Sequence, residues 1–244
     1  MYDDFAYIYD ELMNDFDYEN WFGYIKRIFA KYDKKPEDIL EMACGTGSLS
    51  YYIAKEGYKL TCFDLSEEML SIAYDKLKKF KKVKILRQDM RSFNINKKFD
   101  SVISICDSIN YILDEEDLLK TFTNVYNHLN KDGIFIFDIN SSYKLKEVIG
   151  NNTFVEDRGN IFYTWQNYFQ DQVNISDFYL TFFYAEDEKN YLRFDEVHQE
   201  RAYEIHEIKR SLSKAGFINI DIFDAFTFNN PEETSERINF IAGK

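Results

Sequence analysis

Between residues 38 and 139, short apolar runs alternate with stretches whose apolar positions recur every three or four residues. The runs 38–44 (DILEMAC), 58–64 (YKLTCFD), 83–89 (VKILRQD), 99–106 (FDSVISIC) and 133–139 (GIFIFDI) read as strands buried on both faces. The segments 47–57, 66–80 and 115–129 read as amphipathic helices; Ser66 is placed as an N-cap with acids behind it, and Gly57 as a C-cap. Upstream, Trp21, Tyr24, Ile25, Ile28 and Phe29 mark one face of a helix over 17–32. Strict βα alternation predicts a parallel sheet covered by helices on both sides. After about residue 150 the period changes to two, with turn signals at DRGN, QDQVN and DEKN, which predicts an antiparallel meander. A helix over 204–217, closed by Gly216, and two strands (INIDIFDAF and RINFIA) return to the α/β pattern. The meander, 152–203, is therefore expected to be an insertion, and 1–151 with 204–244 the main domain.

Composition narrows the function classes. A formal net charge of −13 over 244 residues disfavours nucleic acid as a partner, because phosphate neutralisation carries most such affinity. Cys44, Cys62 and Cys106 show no metal-ligand spacing and lie in apolar runs, so no disulfide framework and no metal site is expected. The acidic, aromatic start MYDDFAYIYDEL lacks the features of a signal peptide, and no run approaches a membrane span. A cytoplasmic protein is expected. Aromatic residues make up 18% of the chain, a high share; such residues fill a core and also line pockets.

The stretch 41–50, EMACGTGSLS, places Gly45 and Gly47 between a strand and a helix, where backbone comes close to a ligand and helix N-terminal amides favour negative charge. A phosphate loop needs a lysine after the second glycine, which is absent. A dinucleotide fingerprint needs a small third residue, and Ser50 stands there. Glu41, at the end of the first strand, would face the diphosphate of NAD unfavourably but suits a cationic group. Asp64 and Asp89 end the next two strands and suit ribose hydroxyls and an adenine amino group. The implied ligand contains adenosine and a positive centre and lacks phosphates.

In order and spacing, E-M-A-C-G-T-G, F-D-L-S-E-E-M-L, R-Q-D-M-R and C-D-S-I-N-Y-I resemble the motifs of class I S-adenosylmethionine-dependent methyltransferases, in particular small bacterial ones with an inserted β-sheet. A more distant likeness is to sugar N,N-dimethyltransferases. The resemblance implies a Rossmann-like α/β fold: a seven-stranded, mostly parallel sheet with the last strand antiparallel, helices on both faces, and a small inserted antiparallel sheet. It implies S-adenosyl-L-methionine as cofactor. Gly45, Gly47 and Ala43 would wrap its methionine part; Glu41 would order its ammonium; Asp64, Leu65 and Met69 would hold ribose and adenine; Asp89 and Met90 the adenine; and the Cys106 carbonyl would border the methyl path. Tyr2, Phe5 and Tyr9 would form a lid. Family members usually carry Asp where Glu41 stands, a change of reach and not of charge.

The loop after the fourth strand (Asp107, Ser108, Asn110, Tyr111) lies where methyl group and acceptor should meet. In the insert, Phe194, Glu196, His198 and Glu200 share one face of a strand, and Arg193, Asp195, Val197, Gln199 and Arg201 the other. His198 and Tyr111 are candidate catalytic groups, and Trp165 and Arg201 candidate substrate contacts, with a cross-strand ion pair as the alternative for Arg201. The expected reaction is transfer of the sulfonium methyl to an N or O nucleophile, of a small molecule by preference. The rivals are an NAD-type oxidoreductase and a non-catalytic binding protein. A pocket lined by Tyr111, Trp165 and His198 would favour catalysis; a broad apolar patch on the insert would favour interaction.

Overall fold

Strand β1 (Asp38–Met42) is buried along nearly its whole length, because neighbouring strands and helices cover both of its faces. Leu40 and Met42 point to a core built on the helices α5 (Glu115–His128) and α6 (Ile205–Ala215). Ile39 points to a second core under α2 (Tyr18–Lys31), α3 (Ser48–Lys55) and α4 (Glu67–Leu77). This two-sided burial is why the strands read as unbroken apolar runs. The computed structural model describes residues 3–186 and 190–244, with side chains described from Ala6 onward except Tyr7.

With β2 (Lys59–Asp64), β3 (Val83–Arg87), β4 (Phe99–Ser104), β5 (Leu129–Asn140), β10 (Asn219–Asp224) and β11 (Arg237–Gly243), the main sheet has seven strands in the order β10-β11-β5-β4-β1-β2-β3. Strand β11 runs antiparallel to both of its neighbours, and the remaining pairings are parallel. The predicted fold class holds, including the reversed last strand. The chain leaves β1 toward β2 on one side and returns as β4 on the other, so the crevice for a ligand opens above the carboxyl ends of β1 and β4.

The meander forms a separate antiparallel sheet of β6 (Thr153–Asp157), β7 (Ile161–Gln170), β8 (Ile175–Ala185) and β9 (Tyr191–Arg201). Its register puts Tyr163, Phe182 and Phe194 in one row, then Trp165, Leu180 and Glu196, then Asn167, Phe178 and His198 on the same face. Leu145, Ile149, Phe178 and Ala202 make a small core that ties this face to the main sheet. Three elements were not expected from the pattern: a helix at Asp3–Leu12, a single-turn helix at Ser108–Tyr111 and a π-helical turn at Lys144–Ile149 shortly after β5. Strand β5 also starts at Leu129, earlier than the expected 133, and takes in the residues between the expected helix and strand. No helix among the described residues is long and apolar enough to cross a membrane.

Candidate active site

A cavity of about 1090 Å³ lies above the carboxyl ends of β1, β2 and β4, bounded on one side by α1 (Asp3–Leu12) and on the other by the inner face of the inserted sheet. Its volume is at the upper limit of small-ligand sites, roughly 300–1,000 Å³, so it has room for two small molecules side by side.

The glycine turn forms one end. The Gly45 amide donates to Asp64 Oδ2 at 2.8 Å, and Ser66 N–H donates to Asp64 Oδ1 at 3.0 Å. The carboxylate at the end of β2 thus fixes both the turn after β1 and the start of α4. Burial pushes the Asp64 carboxyl up, against the pull of those amides. Gly45 has φ 53°, and a Cβ there would meet nothing within 4 Å, so its backbone faces open space in the cavity wall. Gly47 differs. At φ 77°, its Cβ would lie 3.1 Å from Ala73 Cβ and 3.2 Å from Leu77 Cδ1, and it does not line the cavity. Gly47 is a packing residue that lets α3 approach α4; the expectation that it touches the ligand is corrected.

Glu41 is 2% exposed and lines the cavity, and the Ser50 hydroxyl on α3 donates to its Oε2. Burial pushes its carboxyl up to about 8. Such a group ionises readily only when a cation arrives. The polar residue that weakened a dinucleotide reading, Ser50, is therefore the partner of the acid that motivated the alternative. Leu65 lines the cavity yet is 58% exposed, beside Met69 and Met90, an apolar ledge suited to a flat ring. Asp89 also lines the cavity, but Arg91 holds its carboxylate at 2.6 Å and lowers its pKa.

The backbone at two strand ends is left-handed. Ala43 after β1 has φ 50°, and Cys106 and Asp107 after β4 have φ 59° and 54°. All three line the cavity. Such values in non-glycine residues cost on the order of 1–3 kcal/mol each, and these three of the seven among the described residues sit where the turn and the methyl path were expected. Burial raises the Cys106 thiol well above its usual range, and contact with Cys62 does the same for Cys44, so neither is a thiolate nucleophile.

On the α1 side, Tyr9, Leu12, Met13, Phe16 and Tyr18 line the cavity. Tyr2 and the side chain of Phe5 lie outside the described residues. Asp10 fastens α1: it accepts from Thr46 Oγ1 at 2.6 Å and from Lys76 Nζ at 2.7 Å, and Lys76 also donates to Ser48 Oγ at 3.0 Å. Neither Asp10 nor Lys76 stood out in the sequence, since nothing local links positions that far apart.

The opposite end carries Asp107, Ser108, Tyr111, Trp165 and His198, which the structure brings together on the cavity wall. The rings of Tyr111 and His198 meet edge to face at 6.0 Å, and burial lowers the His198 pKa. Two expected contacts are corrected. Asn110 is buried away from the cavity, where its amide donates to Asn140 O at 3.1 Å and Arg201 O at 2.9 Å, joining the two sheets. Arg201 points away from the cavity, with its guanidinium on Glu207 at 3.1 Å and on the Leu113 carbonyl at 3.1 Å. Arg201 is ion-paired, but to Glu207 on α6 and Glu115 on α5 and not across the strands as the alternative had it.

Sequence reasoning did not single out the polar floor of this end. Arg237 on β11 bonds Asp107 at 2.8 Å and also the fully buried Asp138. Asn140 donates to Glu200 Oε2 at 2.8 Å and accepts from Lys144 Nζ at 2.9 Å. One signal was available: Asp138 and Asn140 sit two apart in an otherwise apolar strand, and buried polar residues at that spacing imply partners.

A glycine turn at the switch point, with an acid at each flanking strand end and a helix closing over it, defines the class I arrangement for an adenosine ligand with a cationic centre. Comparison with known proteins fixes the family. A methyltransferase-domain model matches residues 39–133. The chain is 40% identical to an S-adenosylmethionine-dependent methyltransferase from Clostridium acetobutylicum ATCC 824 of known crystal structure, over 99% of this chain and 98% of that one, with a TM-score of 0.90. It is 37% identical, over 100% of its length and 99% of the relative's, to a protein of Geobacillus sp. (strain WCH70) whose methyltransferase designation is provisional. It shares its fold with the sugar N-methyltransferase KedS8 from Streptoalloteichus sp ATCC 53650, at 18% identity and a TM-score of 0.80 over 98% of this chain and 92% of that one. The chain belongs to the S-adenosylmethionine-dependent methyltransferases, and S-adenosyl-L-methionine is its cofactor.

Proposed function

We propose that the protein transfers the sulfonium methyl of S-adenosylmethionine to an N or O nucleophile of a small molecule held under the inserted sheet. The observation that carries this reading is the continuity of the cavity. One space runs from the Gly45 turn to Tyr111, Trp165 and His198, with the β4 terminus between them.

The residues at the turn end fit the cofactor. Asp64 offers carboxylate oxygens for ribose hydroxyls, Leu65, Met69, Asp89 and Met90 border the adenine, and Glu41 and the Gly45 backbone meet the methionine part, beside the Cys106 carbonyl. The cofactor supplies an electrophilic methyl on a good leaving group. The protein's part is to orient the acceptor and to exclude water. Tyr9 with the rest of the lid segment, and the inserted residues 152–203 as a roof, serve the second task. The sugar N-methyltransferase with the same fold is consistent with a small acceptor.

Calorimetric titration with S-adenosylmethionine, using NAD as control, is expected to give saturable heat for the first alone. Incubation with methyl-labelled cofactor and a cell extract is then expected to leave label in the low-mass filtrate. Label confined to protein or RNA would sink the small-molecule reading.

A further inference from the structure

We propose that Glu200 receives the methyl-accepting group, and that this group is an amine which enters as an ammonium ion. The inference deepens the reading above and rests on it. Its basis is a carboxylate that the fold has buried without an ion pair. Glu200 is 3% exposed, lines the cavity, and comes from the inner face of β9. Oε2 accepts from Asn140 Nδ2 at 2.8 Å, while Oε1 has no hydrogen bond and no cation lies within ion-pair distance among the described residues. A buried carboxylate is costly unless paired and hydrogen-bonded, so half of this group's capacity is left for a partner from the cavity.

The surroundings select the partner's charge. Among the described residues, eight carboxyl groups line the cavity (Asp107, Asp114 and Asp117 among them), against the four cations Arg87, Arg91, Lys144 and Arg237. Arg87 is taken by Glu67, Arg91 by Asp89, and Arg237 by Asp107 and Asp138. Lys144 donates to Asn140 Oδ1, on the far side of the same amide that holds Glu200. Asn140 thus spaces ammonium from carboxylate and keeps the two apart. The wall also carries the aromatic rings of Tyr111, Tyr163, Trp165 and Phe178, among aliphatic residues such as Ile149 and Leu180. Aromatic faces with a carboxylate are a setting for cations.

The chemistry matches this setting. An ammonium ion has no lone pair with which to attack. At Glu200 its N–H bond breaks, the proton passes to Oε1, and the electron pair stays on nitrogen. That pair forms the new N–C bond to the methyl carbon as the C–S bond breaks, its electrons remaining on sulfur. Burial raises the Glu200 carboxyl well above the usual carboxylate range, which favours its taking a proton; Asp107 pushes in the same direction and Lys144 and Arg237 oppose it. An alcohol is far too weak an acid for a carboxylate to deprotonate in this way.

The test uses the full chain saturated with S-adenosylhomocysteine and two shape-matched probes, benzylamine and benzyl alcohol, titrated calorimetrically near neutral pH. Benzylamine is expected to bind at least about tenfold more tightly than the alcohol, and Glu200→Gln to abolish that preference while leaving cofactor affinity unchanged. Equal binding of the probes, or a preference that survives Glu200→Gln, overturns the proposal. If Glu200→Gln does not fold, Glu200→Asp replaces it; the shorter acid should keep part of the preference, and full retention again overturns the proposal. Loss of cofactor binding by the unaltered protein would instead overturn the methyltransferase reading, so the two failures are distinguishable.

Discussion

The two ends of the cavity are built by different means. The cofactor end is local: Glu41, Gly45 and Ser50 lie within ten positions, and Asp64 joins them through one backbone hydrogen bond to Gly45. The acceptor end is assembled from distant segments: Arg237 with Asp107, Asn140 with Glu200, and Asn110 with the carbonyl of Arg201. The first is a motif that a chain can carry from fold to fold. The second exists only once β5, β11 and the inserted sheet have come together. On the proposed function, the motif holds the reagent and the long-range assembly holds what the reagent acts on.

The difference predicts that the acceptor end costs more stability to disturb. Arg237→Met leaves Asp138, fully buried, and Asp107 without their cation. Breaking a buried pair by removing one partner typically costs about 3–5 kcal/mol. Chemical denaturation is expected to show a loss of that size. A loss under about 1 kcal/mol would mean that water reaches these acids and that the floor is not sealed.

At the cofactor end, Glu41 contributes with the opposite sign. Its carboxyl stands near 8 in the folded chain against an ordinary 4.5, so the folded state binds the extra proton between those values. The stability this confers is complete below the unfolded value and is lost as pH rises through about 8. Without cofactor, the protein is expected to weaken by a few kcal/mol, to order of magnitude, between pH 5 and 9. Glu41→Gln should flatten that slope and bind S-adenosylmethionine less tightly. An unchanged slope in thermal melts across this pH range would show that other groups carry it.

Asp64→Ala is expected to reduce cofactor affinity and also to cost roughly 1–3 kcal/mol for each amide left unpaired, since Gly45 N–H and Ser66 N–H both depend on this carboxylate. The motif alone suggests a ligand contact and no structural role. Titration calorimetry with a parallel denaturant melt separates the two effects. Unchanged affinity would refute the placement of the ribose.

How much of this was legible follows from sequence separation. Alternating apolar runs gave the sheet order's raw material, and period-two alternation gave the insert, because burial on two faces or on one is written directly in the spacing of apolar residues. The acids at strand ends were legible because a strand that stops at a charge must expose or pair it. Arg201 was misplaced because period two assigns a face but not the direction of a long side chain beyond the end of a strand, where Glu207 of the next helix captures it. Asn110 was misplaced because its loop folds into a helical turn that points it inward, onto Asn140. Lys144 was invisible because no local pattern announces the π-helical turn it begins.

The smallest effect gives the sharpest comparison, and it lies within the motif. Gly45 and Gly47 look equivalent in sequence, and both hold positive φ, so alanine at either costs about 1–2 kcal/mol from backbone alone. Their surroundings differ. At Gly47 the new methyl would press on Ala73 Cβ at 3.1 Å and on Ala73 Cα at 3.3 Å, and α4 would have to shift. At Gly45 it would meet nothing within 4 Å, but it would project from a residue that lines the cavity. Gly47→Ala is therefore expected to be the less stable variant by about 1 kcal/mol or more, from overpacking, with cofactor affinity reduced less. Gly45→Ala is expected to melt closer to the unaltered protein and to lose the larger share of its affinity for S-adenosylmethionine. Paired thermal melts and titrations measure both quantities. If the two variants lose affinity and stability in the same proportion, the motif acts as one unit, and the division between a glycine that packs and a glycine that faces the ligand does not stand.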